Sequence, residues 1–137
     1  MANEAVIVEL LGNRGEVLDF TIADAQAVAK GTLMKTIDPR ACSGASAAVD
    51  NEVFAGIAAS EKVASDGQTR LGLYTKGIFD LKVNSSVAVT LGAHVCMSGA
   101  NLIRDAVEAE IAAGAAVGIA LETGSVDEVI QVAVGVY

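Results

Sequence analysis

The sequence predicts a mainly β fold: a small sandwich or barrel with an N-terminal arm or hairpin and at most one or two short helices. Three observations predict it. Short runs of Val, Ile and Leu recur along the chain between clusters of Gly, Asp, Asn and Ser, the spacing of a sandwich or barrel. Several runs carry a glycine at or near their start: Phe54-Ala55-Gly56-Ile57-Ala58, Gly77-Ile78-Phe79-Asp80-Leu81 and Val117-Gly118-Ile119-Ala120-Leu121. Such a glycine marks a turn, a bulge or a close backbone approach. Finally, 53% of residues are hydrophobic but only 4% are aromatic, so the core is built from small aliphatic side chains in thin layers.

Ala5–Leu11 is almost wholly apolar and reads as a strand, either buried on both faces of the domain's own sheet or lent to a neighbour. Gly12-Asn13-Arg14-Gly15 is a turn by composition. Glu16–Ile22 then alternates, with Leu18, Phe20 and Ile22 on one face, and pairs with the first strand as a hairpin. Ala23–Lys30 is alanine-rich and reads as a helical turn ended by Gly31. Thr32–Ile37 is a strand stopped by Asp38-Pro39, and Arg40–Asn51 a long loop.

Phe54–Ala59, Arg70–Tyr74, Ile78–Val83, Gly92–Met97 and Leu102–Ala106 follow as strands, and Val87–Thr90 is a short strand or the approach to one. Glu108–Ala115 is a helical turn or a loop. Ala116–Glu122 and Glu128–Val136 form a closing hairpin, with Ile130, Val132, Val134 and Val136 on one face. The 137 residues are expected to form one domain, with residues 1–22 as the arm or hairpin and 23–137 as the barrel. The Gly-Ile-Ala core occurs twice, but the chain between the copies does not continue the similarity, so no internal duplication is expected.

There are 9 Lys+Arg against 17 Asp+Glu, and six acids follow Arg104, the last basic residue. A net charge of −8 repels phosphate backbones and excludes general nucleic-acid binding. No apolar run is long enough to span a membrane. Cys42 and Cys96 form no CxxC, and two buried thiols are expected.

His94 and Cys96 share one face of a strand, yet a zinc site needs three or four ligands and the chain has one histidine. A Cys–His nucleophile would need a third, orienting group. No lysine follows a glycine, so the phosphate loop G-x-x-x-x-G-K-[ST] is absent. The acidic pairs Asp127-Glu128 and Glu108/Glu110 sit at turns, where solvated charge is the ordinary role. No catalytic residue, cofactor or metal ligand is assigned.

An ordered set of segments carries a resemblance. It runs through Lys30-Gly31-Thr32-Leu33-Met34-Lys35, Asp38-Pro39-Arg40 and Phe54-Ala55-Gly56-Ile57-Ala58-Ala59-Ser60-Glu61-Lys62. It continues in Asp66-Gly67-Gln68-Thr69, Gly77-Ile78-Phe79-Asp80-Leu81, Gly92-Ala93-His94-Val95 and Gly99-Ala100-Asn101. It closes with Val117-Gly118-Ile119-Ala120-Leu121-Glu122 and Val132-Ala133-Val134-Gly135. From roughly Ala23 to Val136 the chain resembles the capsid cement (head decoration) proteins of tailed viruses of bacteria and archaea.

The resemblance implies a small β-barrel or β-tulip-like fold and a homotrimer bound to the outside of the expanded, DNA-filled capsid, where it braces major capsid subunits. It implies a structural virion protein made in the host cytoplasm, not an enzyme. Its partners would be the major capsid protein and itself, with no nucleic acid, membrane, cofactor or small-molecule substrate. Some family members carry a recombinase-like label, against which the missing phosphate loop argues.

Contacts are expected from the arm Ala2–Leu11, through Ala2, Asn3, Glu4, Ala5, Val6, Ile7 and Val8, and from the Pro39–Ala48 loop, through Pro39, Arg40 and Ser43. Neither set is carried over from a family motif. The alternatives are a tail, baseplate or spike component with a similar barrel, and a small ligand-binding or enzymatic barrel.

Overall fold

The structure is a computed structural model, and it describes residues 3–9, 17–45 and 52–135. The protein is mainly β. Its strands are β1 (Val6–Glu9), β2 (Val17–Ile22), β3 (Leu33–Ile37), β4 (Ala41–Gly44), β5 (Phe54–Ala58), β6 (Arg70–Tyr74) and β7 (Gly77–Val83). They continue with β8 (His94–Met97), β9 (Leu102–Asp105), β10 (Ala116–Ala120) and β11 (Val129–Val134). One short helix, α1 (Glu108–Ala112), lies between β9 and β10.

The strands close into two barrels. Barrel 1 runs β2-β4-β3-β5-β6 and back to β2. Barrel 2 runs β7-β9-β8-β10-β11 and back to β7, because β9 pairs with both β8 and β7. The two have the same connectivity. In each, the first strand lies parallel to the third (β2 with β4, β7 with β9), and every other pairing is antiparallel.

The correspondence reaches single hydrogen bonds. Ala58 N–H donates to the Thr32 carbonyl and Ala120 N–H to the Ala93 carbonyl, both at 2.9 Å. Gly31 N–H donates to Ala58, and Gly92 N–H to Ala120. The bridge Val28–Lys62 answers Val89–Gly124. Gly31 and Gly92 both have φ in the left-handed region, as do Arg40 and Asn101, which take equivalent places in the β3–β4 and β8–β9 turns. The protein is therefore an internal duplication, and the two Gly-Ile-Ala segments are matching strands, β5 and β10.

This corrects the sequence reading, and the cores explain why the repeat was hidden. Barrel 1 is filled by Ile22, Val28, Met34, Cys42, Ala55, Ala58, Leu71 and Leu73. Their counterparts in barrel 2 are Val83, Val89, Val95, Ile103, Val117, Ala120, Ile130 and Val132, all buried. Only Val28/Val89 and Ala58/Ala120 are identical. Burial rewards apolar surface of about the right volume rather than a particular side chain, so identity drifts while the pattern stays.

The barrels share one core at their junction. Leu33, Ile57 and Tyr74 lie opposite one another across β3, β5 and β6, on the outer face of barrel 1. Leu33 and Ile57 are fully buried against barrel 2, and Tyr74 packs on the same cluster. They cover one mouth of barrel 2, ringed by Phe79, Leu81, Met97 and Val134, residues that extend its inward-facing stripes to that end. The Tyr74 and Phe79 rings are 6.1 Å apart and tilted at 44°. Asn101 completes the joint, its Oδ1 accepting the Leu33 N–H at 2.9 Å.

Three local expectations are corrected. The expected β1–β2 hairpin does not form: β1 pairs with β7, while both edges of β2 are taken by β4 and β6. Ala23–Lys30 is not helical: Gln26 N–H closes a turn on the Ala23 carbonyl, and Val28 is drawn into a β-bridge with Lys62. Ala41–Gly44, read as loop from its small residues, is strand β4, held between two neighbours with Cys42 in the core. Of Val87–Thr90, only Val89 is paired, as an isolated bridge.

Candidate functional site

The N-terminal strand is folded onto its own chain. Ala5 N–H donates to the Gly31 carbonyl of barrel 1 at 2.6 Å, and Val6 and Ile7 lie opposite Asp80 and Phe79 of barrel 2. Ala5 is buried and Ile7 half-buried against the shared core. Val6 and Val8 face outward, 58% and 44% exposed. Asn3 is exposed with φ of 66°, and Glu4 is half-buried. Of the expected arm contacts, then, Asn3, Val6 and Val8 are presented to solvent, Ala5 and Ile7 hold the arm down, and Ala2 lies outside the described residues.

The second expected set lies on barrel 1. Pro39 and Arg40 are exposed on the β3–β4 turn, and the Arg40 guanidinium stands 5.6 Å over the Phe20 ring. That is within the range of a cation–π contact. Ser43 is buried in β4, where its hydroxyl accepts a 3.1 Å hydrogen bond from the Gln26 amide. Residues 46–48 of the loop lie outside the described residues. Arm and turn thus belong to different surfaces, one on β7 of barrel 2 and the other beside a mouth of barrel 1.

Lys62 is the largest fully buried polar side chain, and sequence reasoning gave it no role. Its ammonium donates to the Asp24 carbonyl (2.7 Å), the Val63 carbonyl (3.2 Å) and Asp66 Oδ1 (3.1 Å). It also lies 3.7 Å from Asp24 Oδ1. Asp66 Oδ1 in turn accepts the Gln68 N–H, and Asp24 Oδ1 the Gly67 N–H. The Gln68 hydrogen bond first, and Lys62 second, hold the Asp66 carboxyl below its ordinary pKa despite some desolvation. The lysine thereby pins the 23–26 turn to the 62–68 loop.

On barrel 2, Arg104 and Glu110 form a bidentate pair at 2.9 and 2.5 Å. Glu110 Oε1 also accepts the Val107 N–H, capping α1. Cys96 is buried with its Sγ 4.0 Å from Glu110 Oε2, while His94, on the same side of β8, is half-buried. Burial pushes the Cys42 thiol up to about 11, which keeps it protonated and poorly nucleophilic at neutral pH. No disulfide joins the two cysteines.

Beside the pair, Asn84, Ser86, Val87, Ser98 and Val107 line an open groove. Its amide is engaged within the protein: Asn84 Nδ2 donates to Ser98 Oγ at 2.8 Å, and Asn84 Oδ1 accepts from the backbone of Ser86 and Val87. Among the described residues, no three of His, Cys, Asp and Glu come together as a metal would require.

No protein-family model matches the chain, and no curated protein is similar to it.

Proposed function

We propose that this is a structural virion protein that coats the outside of the expanded capsid and braces neighbouring major capsid subunits, as a homotrimer. The ordered resemblance from Ala23 to Val136 is the observation that carries the reading. The fold is compatible with it: two filled barrels joined through one core form a rigid block. A cement protein works by many weak contacts repeated over a lattice, which multivalency converts into firm attachment. Such a protein favours the expanded shell by mass action, because it binds that state and not the compact one. Val6 and Val8 on the outer side of the N-terminal strand, and Pro39 and Arg40 on the β3–β4 turn, are the surfaces offered for contact.

The test is copy number and state preference. Purified particles separated by quantitative electrophoresis should carry the chain in numbers close to the major capsid protein. Recombinant protein should bind empty expanded shells and leave unexpanded shells bare. A few copies per particle, or co-purification with tails, would move the protein to the tail or baseplate and sink the cement reading.

A further inference from the structure

The duplication leaves one joint made and one unmade. The mouth of barrel 2 is covered by barrel 1, and Phe79, Leu81, Met97 and Val134 are each no more than 2% exposed there. The corresponding residues of barrel 1 are Leu18, Phe20, Thr36 and Thr75. Leu18 is 40% exposed, Thr36 is exposed, and Phe20 and Thr75 are half-buried. The neighbouring turns differ in the same sense. Ser98, Gly99 and Asn101 are buried at the junction, whereas Ile37, Asp38, Pro39 and Arg40 are all exposed.

The covering surface also has a counterpart. On barrel 2 the row equivalent to Leu33–Ile57–Tyr74 is His94–Ile119–Ala133, aligned in the same cross-strand register. Leu33 and Ile57 are fully buried and Tyr74 half-buried, whereas His94 and Ile119 are half-buried, Ala133 is 9% exposed, and Leu121 beyond them is 41% exposed. Each chain therefore carries an uncovered mouth at one end and a partly uncovered row at the other.

We propose that a second copy of this chain seats its barrel 1 mouth on the His94–Ile119–Ala133 row, repeating between copies the joint that unites the barrels within one. The contact is heterologous: the two copies offer different surfaces. Contacts of that kind close into a ring when the rotation allows and otherwise run on as a helix. Leu18 and Phe20 against Ile119 and Leu121 supply the apolar contact. One detail changes. Arg40 stands where Asn101 stands, and a guanidinium cannot accept a backbone N–H, so that hydrogen bond is not repeated. The inference rests on the duplicated fold and not on the capsid reading.

The test uses the full chain and complementary variants, with mass read by light scattering. Wild type should assemble with rising concentration. Leu18→Glu spoils the mouth and Ile119→Glu spoils the row, so each alone should stay at monomer mass. Mixed, they retain one good mouth and one good row between them and should form a one-to-one pair at twice the monomer mass. Thr36→Glu and Leu121→Glu replace either variant if its melting curve shows a folding defect. Wild type that stays monomeric at its highest soluble concentration overturns the proposal. So do single variants that still assemble, or a mixture that does not pair. A monomer that nevertheless coats capsids would overturn this joint and the homotrimer, and leave the rest of the cement reading standing.

Discussion

Lys62 and Gly124 occupy the same place in the two barrels, each bridged to the valine that precedes its barrel's second strand. Barrel 1 fills the place with a buried ammonium. Barrel 2 has no room there: a Cβ on Gly124 would lie 2.6 Å from Ile130 Cγ2 and 3.0 Å from Val83 Cγ2. Replacing Lys62 by Met should leave the Asp24 and Val63 carbonyls without their donor. We expect a loss of about 2–4 kcal/mol by urea denaturation. An unchanged midpoint would show that water replaces the ammonium without cost.

The Gln68 N–H, with Lys62 beside it, makes the fold acid-sensitive at one point. The Asp66 carboxyl sits below its ordinary pKa in the folded chain, so its contribution is present above the unfolded value, near 4, and is lost as pH falls through the lower folded value. Asp66→Asn should flatten the acid limb of the stability curve relative to wild type. Parallel acid limbs in the two proteins would refute this.

At the alkaline end Cys42 acts with the opposite sign. Its folded pKa, pushed up to about 11 by burial, exceeds the unfolded value. Its contribution is complete below the unfolded pKa, near 8.5, and fades as pH rises towards 11. The span corresponds to about 3 kcal/mol. Cys42→Val should remove that alkaline loss, and native Cys42 should react with a thiol reagent only as fast as the barrel opens.

Gly56 and Gly118 face the same obstacle. A Cβ on Gly56 would stand 2.8 Å from the Tyr74 carbonyl oxygen, and one on Gly118 would collide with the carbonyl of Ala133. Backbone cannot rotate aside as a side chain can, so Gly118→Ala should cost about 1–3 kcal/mol or more, and Gly56→Ala a similar amount. Gly44→Ala is the control: its nearest neighbour, Thr32 Cγ2, is 3.9 Å away, and the change should stay within about 0.5 kcal/mol.

Val6 and Val8 separate binding from folding. Both side chains point outward, whereas Ala5 and Ile7 hold the strand in place. On the cement reading, Val6→Lys with Val8→Lys should weaken attachment to expanded shells at least tenfold in a co-sedimentation assay. The melting temperature should stay within a few degrees of wild type. Deleting the strand is a poorer test, because it also uncovers the shared core and the Gly31 carbonyl.

Strand existence was legible wherever burial is one-sided. Phe79, Leu81 and Val83 alternate with Ile78, Asp80 and Lys82, and β7 follows that alternation. The glycines also spoke, since Gly56 and Gly118 mark true close approaches. Partner choice was not legible. Nothing in Ala5–Leu11 says that it pairs with a strand some seventy residues on. β4 escaped because Ala, Cys, Ser and Gly have weak strand propensity, and its neighbours impose the extended form. The repeat escaped because its signature lies in conformation: the left-handed Arg40 and Asn101 share a place and not a side chain. The mouth of barrel 1 escaped for a related reason. Leu18 and Phe20 look like ordinary core residues until the other barrel reveals what their counterparts are covered by.

The shared core sets an order of assembly during synthesis. Barrel 1 leaves the ribosome first: β2 through β6 clear the exit tunnel, and can close, before the last strands of barrel 2 emerge. It then presents Leu33, Ile57 and Tyr74 as a template on which the second barrel forms. The N-terminal strand is the first made and must wait, because its ladder partner β7 belongs to the later barrel. A ribosome stalled with Tyr74 just clear of the exit tunnel should therefore hold a closed but sticky barrel. Completion of the second half removes the apolar row from reach of neighbouring nascent chains.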